Sequence, residues 1–184
     1  MLDYNRIIDK YVDPAIELHR VLITHSSAVA ELACTFAERL IERGEAVDTD
    51  FVYEAAMLHD IGVCRVSAPN IHCHGTEPYI MHGIIGAEIL LAEHLPRHAR
   101  VSECHTGTGI TRDDVLTQHL PIPARDYLPI TVEEMLVCYA DKFFSKNHLG
   151  EPPRSIEVIR EKLQRFGPAS IQRLDAMVER FGLP

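Results

Sequence analysis

The 184-residue chain lacks several features that mark whole classes of protein. It has no apolar run of 18 residues, no secretory signal and no lipidation motif, so we expect neither a membrane span nor export. The turn Thr106-Gly107-Thr108-Gly109 has no Gly-Lys-Ser/Thr, and no strand precedes it, so it is not a phosphate-binding P-loop. The five cysteines form an odd number without a Cys-x-x-Cys pair. We therefore expect free thiols in a cytoplasmic protein.

Excess positive charge is also missing. Lysine and arginine number 18 against 27 aspartates and glutamates, which gives a formal net charge of −9. This balance argues against a broad surface for a nucleic-acid polymer. It is compatible with a small anionic substrate, because bound divalent ions would reverse the electric field inside a cleft.

No strand of convincing length is present, and apolar residues instead recur at helical spacings. We predict an all-α fold of one domain. Asp13 and Pro14 are predicted to open the helix that includes Val21 to Arg43, and Thr111 and Thr131 to cap two later helices. The segment Val63 to Tyr79 is predicted to be a loop. Other predicted helices cover Phe51–Leu58, Met81–His94, a short stretch near Arg97–His105 and another after Thr111.

The C-terminal part is predicted to be a helical hairpin. Ser155 to Phe166 and Ala169 to Phe181 form its two helices, separated by Gly167-Pro168. Each helix ends in Arg-Phe-Gly. Two such units make no repeat array, so we interpret the hairpin as a packing element or a homodimer contact rather than a binding module.

The stretch Met57 to Gly62 carries the strongest chemical signal. His59 and Asp60 follow an apolar helix, and neutral imidazole and carboxylate are common ligands of divalent metals. Such a pair alone is more often a cap or a solvated turn. Two further residues point to a buried site: His25 lies on the inward face of its helix, and Asp141 ends an apolar run where an unpaired carboxylate would be costly. For His25 alone, a core histidine bonded to the backbone is the simpler interpretation.

The ordered set His25…His59-Asp60…His82…His105…Asp141 resembles the HD superfamily of metal-dependent phosphohydrolases, HDIG type. The likeness covers roughly Val21 to Lys146, with the local contexts His-Asp-Ile-Gly, His-Gly-Ile-Ile-Gly and Tyr-Ala-Asp-Lys. It is closest to the branch whose two extra histidines hold a second metal. The resemblance implies a compact HD-domain bundle of about 7–9 helices. We predict a single domain over 1–184, with a metal-binding core at about 21–146 and the hairpin at about 152–182.

The resemblance also implies the ligand set. One metal would take His25, His59, Asp60 and Asp141, and the second would take Asp60, His82 and His105, with Asp60 bridging. The cofactors would be two divalent ions per chain, drawn from Fe, Mn, Zn, Ni, Co or Mg.

The implied reaction is hydrolysis of a small phosphoester, a nucleotide or dinucleotide, through a metal-activated hydroxide. Asp60 would act with Arg65, Arg112 and Lys142, the three candidates for stabilising developing negative charge. Cyclic-dinucleotide phosphodiesterases of this family carry a Gly-Tyr-Pro motif that is missing here, which puts that substrate in doubt.

Two alternatives stay open. HD proteins with the same six ligands include di-iron oxygenases acting on a phosphonate or a polyol, and the ligand set does not separate them from hydrolases. The second alternative is a non-catalytic binding protein whose metal only holds helices together. Substrate-dependent oxygen uptake would indicate the first, and loss of folding when a ligand is replaced would indicate the second.

Overall fold

The structure is a computed structural model that describes residues 2–184; Met1 lies outside the described residues. Within them it contains nine α-helices, which confirms the predicted all-α class. The helices are α1 (Tyr4–Tyr11), α2 (Glu17–Glu42), α3 (Thr49–Leu58), α4 (His82–Ala92), α5 (Pro96–Cys104), α6 (Arg112–Thr117), α7 (Val132–Asp141), α8 (Ile156–Gln164) and α9 (Pro168–Phe181).

The longest helix, α2, runs through the centre of the bundle and packs on α3, α7 and α9. Its inward residues include Phe36, which is fully buried and lies 5.2 Å from the ring of Tyr139 on α7. The Tyr139 hydroxyl donates to the carbonyl of Gly182, just after α9. The aromatic contact and the hydrogen bond therefore tie the C-terminal hairpin to the centre of the bundle.

Several predicted caps are confirmed. Thr111 accepts a hydrogen bond from the Asp114 amide and forms a reciprocal capping box with its side chain, and the Thr131 hydroxyl accepts from the Glu134 amide. The predicted cap at Asp13 is wrong. Asp13 accepts a hydrogen bond from the Ala15 amide, and helix α2 begins only at Glu17. An aspartate can close a short turn on a nearby amide without opening a helix, and that local bond is the one formed here.

The segment predicted as a loop, Val63 to Tyr79, is ordered by short elements. It contains three-residue 3-10 helices at Pro69–Ile71 and Tyr79–Met81 and two short strands, β1 (Ser67–Ala68) and β2 (Cys73–His74). The strands pair antiparallel, with Ser67 opposite His74 and Ala68 opposite Cys73. No element is long enough to give a periodic apolar pattern, which explains why the sequence did not reveal it.

No helix among residues 2–184 combines the length and the apolar composition that crossing a bilayer requires.

His98 on α5 gives the fold a pH dependence. Its side chain is buried beside Phe51, and burial lowers the pKa of the imidazole below its usual value, although the Glu54 carboxylate 3.5 Å away opposes the shift. Since the unfolded chain takes up this proton near pH 6.5 and the folded chain only at a lower pH, the contribution to stability is lost as the pH falls below 6.5.

We expect the free energy of unfolding to fall between pH 7.5 and 5.5 by up to about 1.4 kcal/mol per pH unit through this group. Urea unfolding of the protein and of His98→Gln, measured across that range, checks the prediction. The difference between the two slopes isolates His98 from the other histidines. Identical slopes would contradict the assignment.

Candidate metal centre

Six predicted ligands converge from five helices. His25 lies in the middle of α2, His59 follows the last residue of α3, and Asp60 follows His59. The other three lie at helix ends: His82 is the first residue of α4, His105 directly follows α5, and Asp141 is the last residue of α7. Helix ends release the chain from helical geometry, so neighbouring side chains such as His59 and Asp60 can face one point.

Backbone carbonyls fix the orientation of three of the histidines. Nδ1 of His59, His82 and His105 lies 2.6–2.7 Å from the carbonyl oxygen three residues earlier in the chain. A carbonyl only accepts hydrogen bonds, so Nδ1 carries the proton and Nε2 presents its lone pair to the interior. This arrangement is typical of histidines that bind a metal.

The first cluster contains His25, His59, Asp60 and Asp141. The Nε2 atom of His25 lies 3.0 Å from Oδ1 of Asp141 and 3.2 Å from Oδ2 of Asp60. The Nε2 atom of His59 lies 3.0 Å from the same Asp60 oxygen. One potential ligand atom from each of the four residues lies within 4.8 Å of every other.

The second cluster uses the other oxygen of Asp60. Oδ1 of that carboxylate lies 3.5 Å from Nε2 of His82 and 3.4 Å from Nε2 of His105. The two imidazole nitrogens are themselves 3.0 Å apart. Since both present lone pairs, they repel each other unless a proton or a cation lies between them. The two oxygens of Asp60 thus face two separate groups of ligands.

The unsatisfied atoms of the centre fit a cation. Asp60 is fully buried, and neither of its oxygens accepts a hydrogen bond of good geometry, although several nitrogens lie close by. The Nδ1 atom of His25 and the Nε2 atom of His59 are also buried without a partner. Buried polar atoms without partners are costly, and coordination of a divalent ion would satisfy the carboxylate oxygens and Nε2 of His59.

The charge states suit metal binding. Burial alone would raise the pKa of Asp60, but the charges of protonated His59 and of Lys146 outweigh it and hold the pKa well below its usual range. Burial lowers the pKa of His59, but the Asp60 and Asp141 carboxylates outweigh it and raise that pKa to about 9, so a bound metal would displace the proton from Nε2 of His59. The same competition, with Lys142 and a hydrogen bond from His25 as partners, holds the pKa of Asp141 low. Burial lowers the pKa of His82 to about 3, so its ring is neutral at pH 7. The carboxylates are therefore ionised and the His82 lone pair is free.

The centre opens into a cavity of about 630 Å³. Two lysines extend into this cavity beside the ligands. Nζ of Lys142 lies 2.7 Å from Oδ2 of Asp141, and Nζ of Lys146 lies 2.5 Å from Oδ2 of Asp60. Both side chains are about nine-tenths buried. Two ammonium groups therefore lie in the cavity next to the ligands, each paired with a ligand carboxylate.

The structure separates the predicted charge-stabilising residues. Lys142 lines the cavity, whereas Arg65 and Arg112 are exposed and lie outside its lining. Arg65 ends a 3-10 helix and contributes its backbone carbonyl to the amides of Thr76 and Glu77. Arg112 begins α6. Neither arginine is placed to touch a ligand held at the centre.

Two residues that contact the centre were not predicted from the sequence. Lys146 lies five residues after the end of α7, and the turn after that helix brings its ammonium group to Oδ2 of Asp60. Ser102 on α5 donates to the carbonyls of His59 and Gly83, and its own carbonyl accepts from His105. This serine therefore links the segments that carry three ligands. Neither residue stands in a motif, so spacing along the chain offered no signal for them.

We expect divalent metal to stabilise the folded chain. Binding to the folded state alone, at a hundredfold excess over the dissociation constant, adds about 2.7 kcal/mol, or a rise in Tm of about 5–10 °C. Differential scanning calorimetry of chelator-treated protein, with and without Mn²⁺, Zn²⁺ or Fe²⁺, measures the shift. His82→Gln should reduce it, whereas His148→Gln, at an exposed position away from the centre, should preserve it. The absence of a shift with every ion would contradict the assignment.

The fold and the site together define an all-α protein with a candidate metal centre of buried histidines and aspartates. A family model described as HD domain matches residues 22–145, and the chain belongs to this family. Members of the family are generally metal-dependent phosphohydrolases.

The relatives that align with the chain include an uncharacterized protein and two tRNA methyltransferases. An uncharacterized protein of Methanocaldococcus jannaschii is 34% identical over 154 residues, which are 83% of each chain. A tRNA (cytidine(56)-2'-O)-methyltransferase of Picrophilus torridus is 35% identical over 130 residues, covering 70% of this chain and 33% of the relative. One of Thermoplasma volcanium is 34% identical over 125 residues, covering 67% and 32%. The chain thus spans about a third of either methyltransferase. No solved structure matches the chain.

Proposed function

We propose that this protein is a metal-dependent phosphohydrolase of the HDIG type that uses two divalent ions to hydrolyse a small phosphoester. The observation that carries the proposal is the position of Asp60, whose two oxygens face separate groups of ligands. When bound between such groups, divalent ions polarise a phosphoryl oxygen and make a water molecule more acidic. A carboxylate shared by two groups of ligands is the arrangement that this chemistry needs.

The protein's own residues hold and stabilise the substrate. Lys142 and Lys146 place ammonium groups beside Asp141 and Asp60, where a phosphoryl group would enter. Fixed positive charge in a site that excludes water stabilises the negative charge that develops during phosphoryl transfer. The carbonyl bonds to the histidine Nδ1 atoms hold the ligand rings in place, so the centre does not have to reorganise during the reaction.

The cavity favours a nucleotide-sized substrate. Its volume of about 630 Å³ lies within the range of small-molecule sites. Tyr79 stacks on His82 at a ring distance of 4.7 Å and lines the cavity together with Ile80 and Phe144. Apolar and aromatic side chains next to the ammonium groups of Lys142 and Lys146 suit a nucleoside joined to a phosphate. This is the basis for proposing a nucleotide or dinucleotide.

The two methyltransferase relatives widen the set of substrates to be tested. Their names describe methylation of tRNA, but this chain matches only about a third of each, so we do not assign it that activity. The net charge of −9 is unfavourable for binding a long RNA. We therefore propose testing nucleoside 2′-, 3′- and 5′-phosphates beside dinucleoside polyphosphates.

The test begins with the metal content of protein purified without added metal. The chain is then loaded separately with Mn²⁺, Co²⁺, Ni²⁺, Zn²⁺, Mg²⁺ and Fe²⁺, and phosphate release from the nucleotide panel is measured. We expect turnover with at least one metal and none after chelation. Oxygen uptake that depends on a phosphonate or a polyol, with iron bound and no phosphate release from esters, would favour the oxygenase instead.

Lys146 and Arg112 provide a matched comparison. We expect Lys146→Gln to lower kcat by about 10²-fold, because it removes one fixed charge next to the reacting group. Arg112→Gln should change kcat by less than about twofold, since this side chain is exposed and lies outside the cavity lining. Steady-state kinetics on the best substrate, with metal content measured for both variants, decides between them. Equal losses would reject the role assigned to Lys146.

A further inference from the structure

The cavity extends from the metal centre to the C-terminal hairpin, where a second group of cations lines it. Arg154 precedes α8, Lys162 lies on α8, and Arg165 directly follows that helix. We call these three residues the distal cations. All three lie beyond residues 22–145, the part of the chain that the family model matches.

The distal cations differ from the other cavity cations in their distance from carboxylates. Among residues 2–184, none of them appears in an ion pair within 4.0 Å, whereas Lys142, Lys146 and Arg173 in the same cavity each face a carboxylate. The rest of the hairpin pairs its arginines: Arg160 with Asp175, and Arg180 with Glu45. The distal cations therefore contribute positive charge to the cavity lining that no carboxylate within 4.0 Å offsets.

Two of the distal cations are held by contacts that leave part of the side chain free. The Arg154 backbone amide donates to the carbonyl of Phe143, and its guanidinium donates to the carbonyl of Phe144 at 3.0 Å. The guanidinium of Arg165 lies 4.6 Å from the ring centre of Phe166, so its N–H edge is not used by this contact.

The third distal cation, Lys162, is exposed. Desolvation by neighbouring atoms and the repulsion of the Arg154 and Arg165 charges lower the pKa of the Lys162 ammonium. A bound anion would relieve this repulsion.

Apolar residues also line the cavity. They come from the loop before α6, from the segment after α6, from the segment after α7 and from the hairpin. The cavity residues in this group are Ile110, Leu120, Phe144, Ile159, Leu163 and Phe166. A ligand that reaches both the metal centre and the distal cations would therefore combine two anionic groups with an apolar or aromatic body.

We propose that the distal cations form a second anion subsite, which binds a second phosphate group of the substrate. Guanidinium groups bind phosphate oxygens through paired hydrogen bonds, and an ammonium adds a point charge. The assignment of the reacting phosphate to the metal end rests on the proposed function. The substrate class is then an organic bisphosphate whose two phosphates flank an apolar or aromatic body, rather than a monophosphate.

The test measures binding separately from turnover. Phosphonates carry a carbon–phosphorus bond that a phosphoesterase does not hydrolyse, so they serve as stable probes. We would titrate the full, Mn²⁺-loaded chain with α,ω-alkanediyl bisphosphonates of increasing chain length and with alkylphosphonates of matching length. Isothermal titration calorimetry gives the dissociation constant of each probe. The variants are the double change Lys162→Gln/Arg165→Gln and, as a matched control on the same helix, Arg160→Gln.

At the best chain length we expect the bisphosphonate to bind about tenfold more tightly than its monophosphonate partner. The double variant should lose this preference while its affinity for the monophosphonate stays within about twofold. Arg160→Gln should keep the preference. If no chain length shows a preference in the parent protein, or if the preference survives in the double variant, the subsite is rejected.

The outcomes separate this inference from the proposed function. A preference for bisphosphonates that depends on Lys162 and Arg165, without hydrolysis of any ester in the panel, supports the subsite and rejects the hydrolase. Hydrolysis without any bisphosphonate preference supports the hydrolase and rejects the subsite.

Discussion

Replacing Asp60 with asparagine is expected to lower kcat/KM for phosphoester hydrolysis by about 10³-fold, a loss of about 4 kcal/mol of transition-state stabilisation. The physical reason is the position of this carboxylate, which is fully buried and faces both groups of ligands. An amide keeps the shape but removes the negative charge that two cations would share. We expect the metal content of purified Asp60→Asn to fall together with its activity, as measured by elemental analysis and phosphate release.

The matched control is Asp113→Asn, the same chemical change at an exposed position on α6. It should leave both metal content and kcat/KM within about twofold of the parent values. The Tm of Asp60→Asn with metal added distinguishes the alternatives. A catalytic centre predicts a fall no larger than the metal-dependent shift of about 5–10 °C, because the variant loses only the stabilisation that bound metal adds. A protein whose metal serves only packing predicts loss of the folded state, and that result would favour the non-catalytic alternative.

Replacing Gly62 with alanine is expected to cost at least about 3 kcal/mol in the free energy of unfolding. A Cβ atom at this position would lie 2.0 Å from the carbonyl oxygen of His82 and 2.4 Å from the amide nitrogen of Gly86. Both are backbone atoms of α4, so the whole helix would have to move away. Since His82 begins that helix, we also expect weaker metal binding. Urea unfolding and metal titration of Gly62→Ala measure the two effects.

Gly44→Ala serves as the comparison. Gly44 has φ of +89°, but a Cβ atom there would have no neighbour within 4 Å. The substitution should therefore cost only about 1 kcal/mol, the penalty of a left-handed conformation. If Gly62→Ala costs no more than Gly44→Ala, close packing of the His-Asp-Ile-Gly turn on α4 does not determine stability here.

Much of the fold followed from local signals. The apolar spacing along α2 reflects contact of one helix face with the core, and Thr111 and Thr131 cap helices because their hydroxyls reach amides three residues ahead. The cap predicted at Asp13 was wrong although it followed from the same kind of local rule. Asp13 closes a turn on Ala15, and the residues after that turn delay the start of α2 to Glu17. The short elements between Val63 and Tyr79 have no periodic signal at all.

The residues of the centre also fall into two groups: those that could be predicted from the sequence and those whose position depends on helix packing. The six converging residues could be predicted, because their order and neighbours resemble the HD family and each type is a good metal ligand. Lys142 could not be distinguished from Arg65 and Arg112 in this way, since a side chain's direction depends on how its helix is packed. The contact of Lys146 with Asp60, and the position of the hairpin cations in the same cavity, depend on how the helices pack together. Such contacts join segments that are distant in sequence, and no local spacing encodes them.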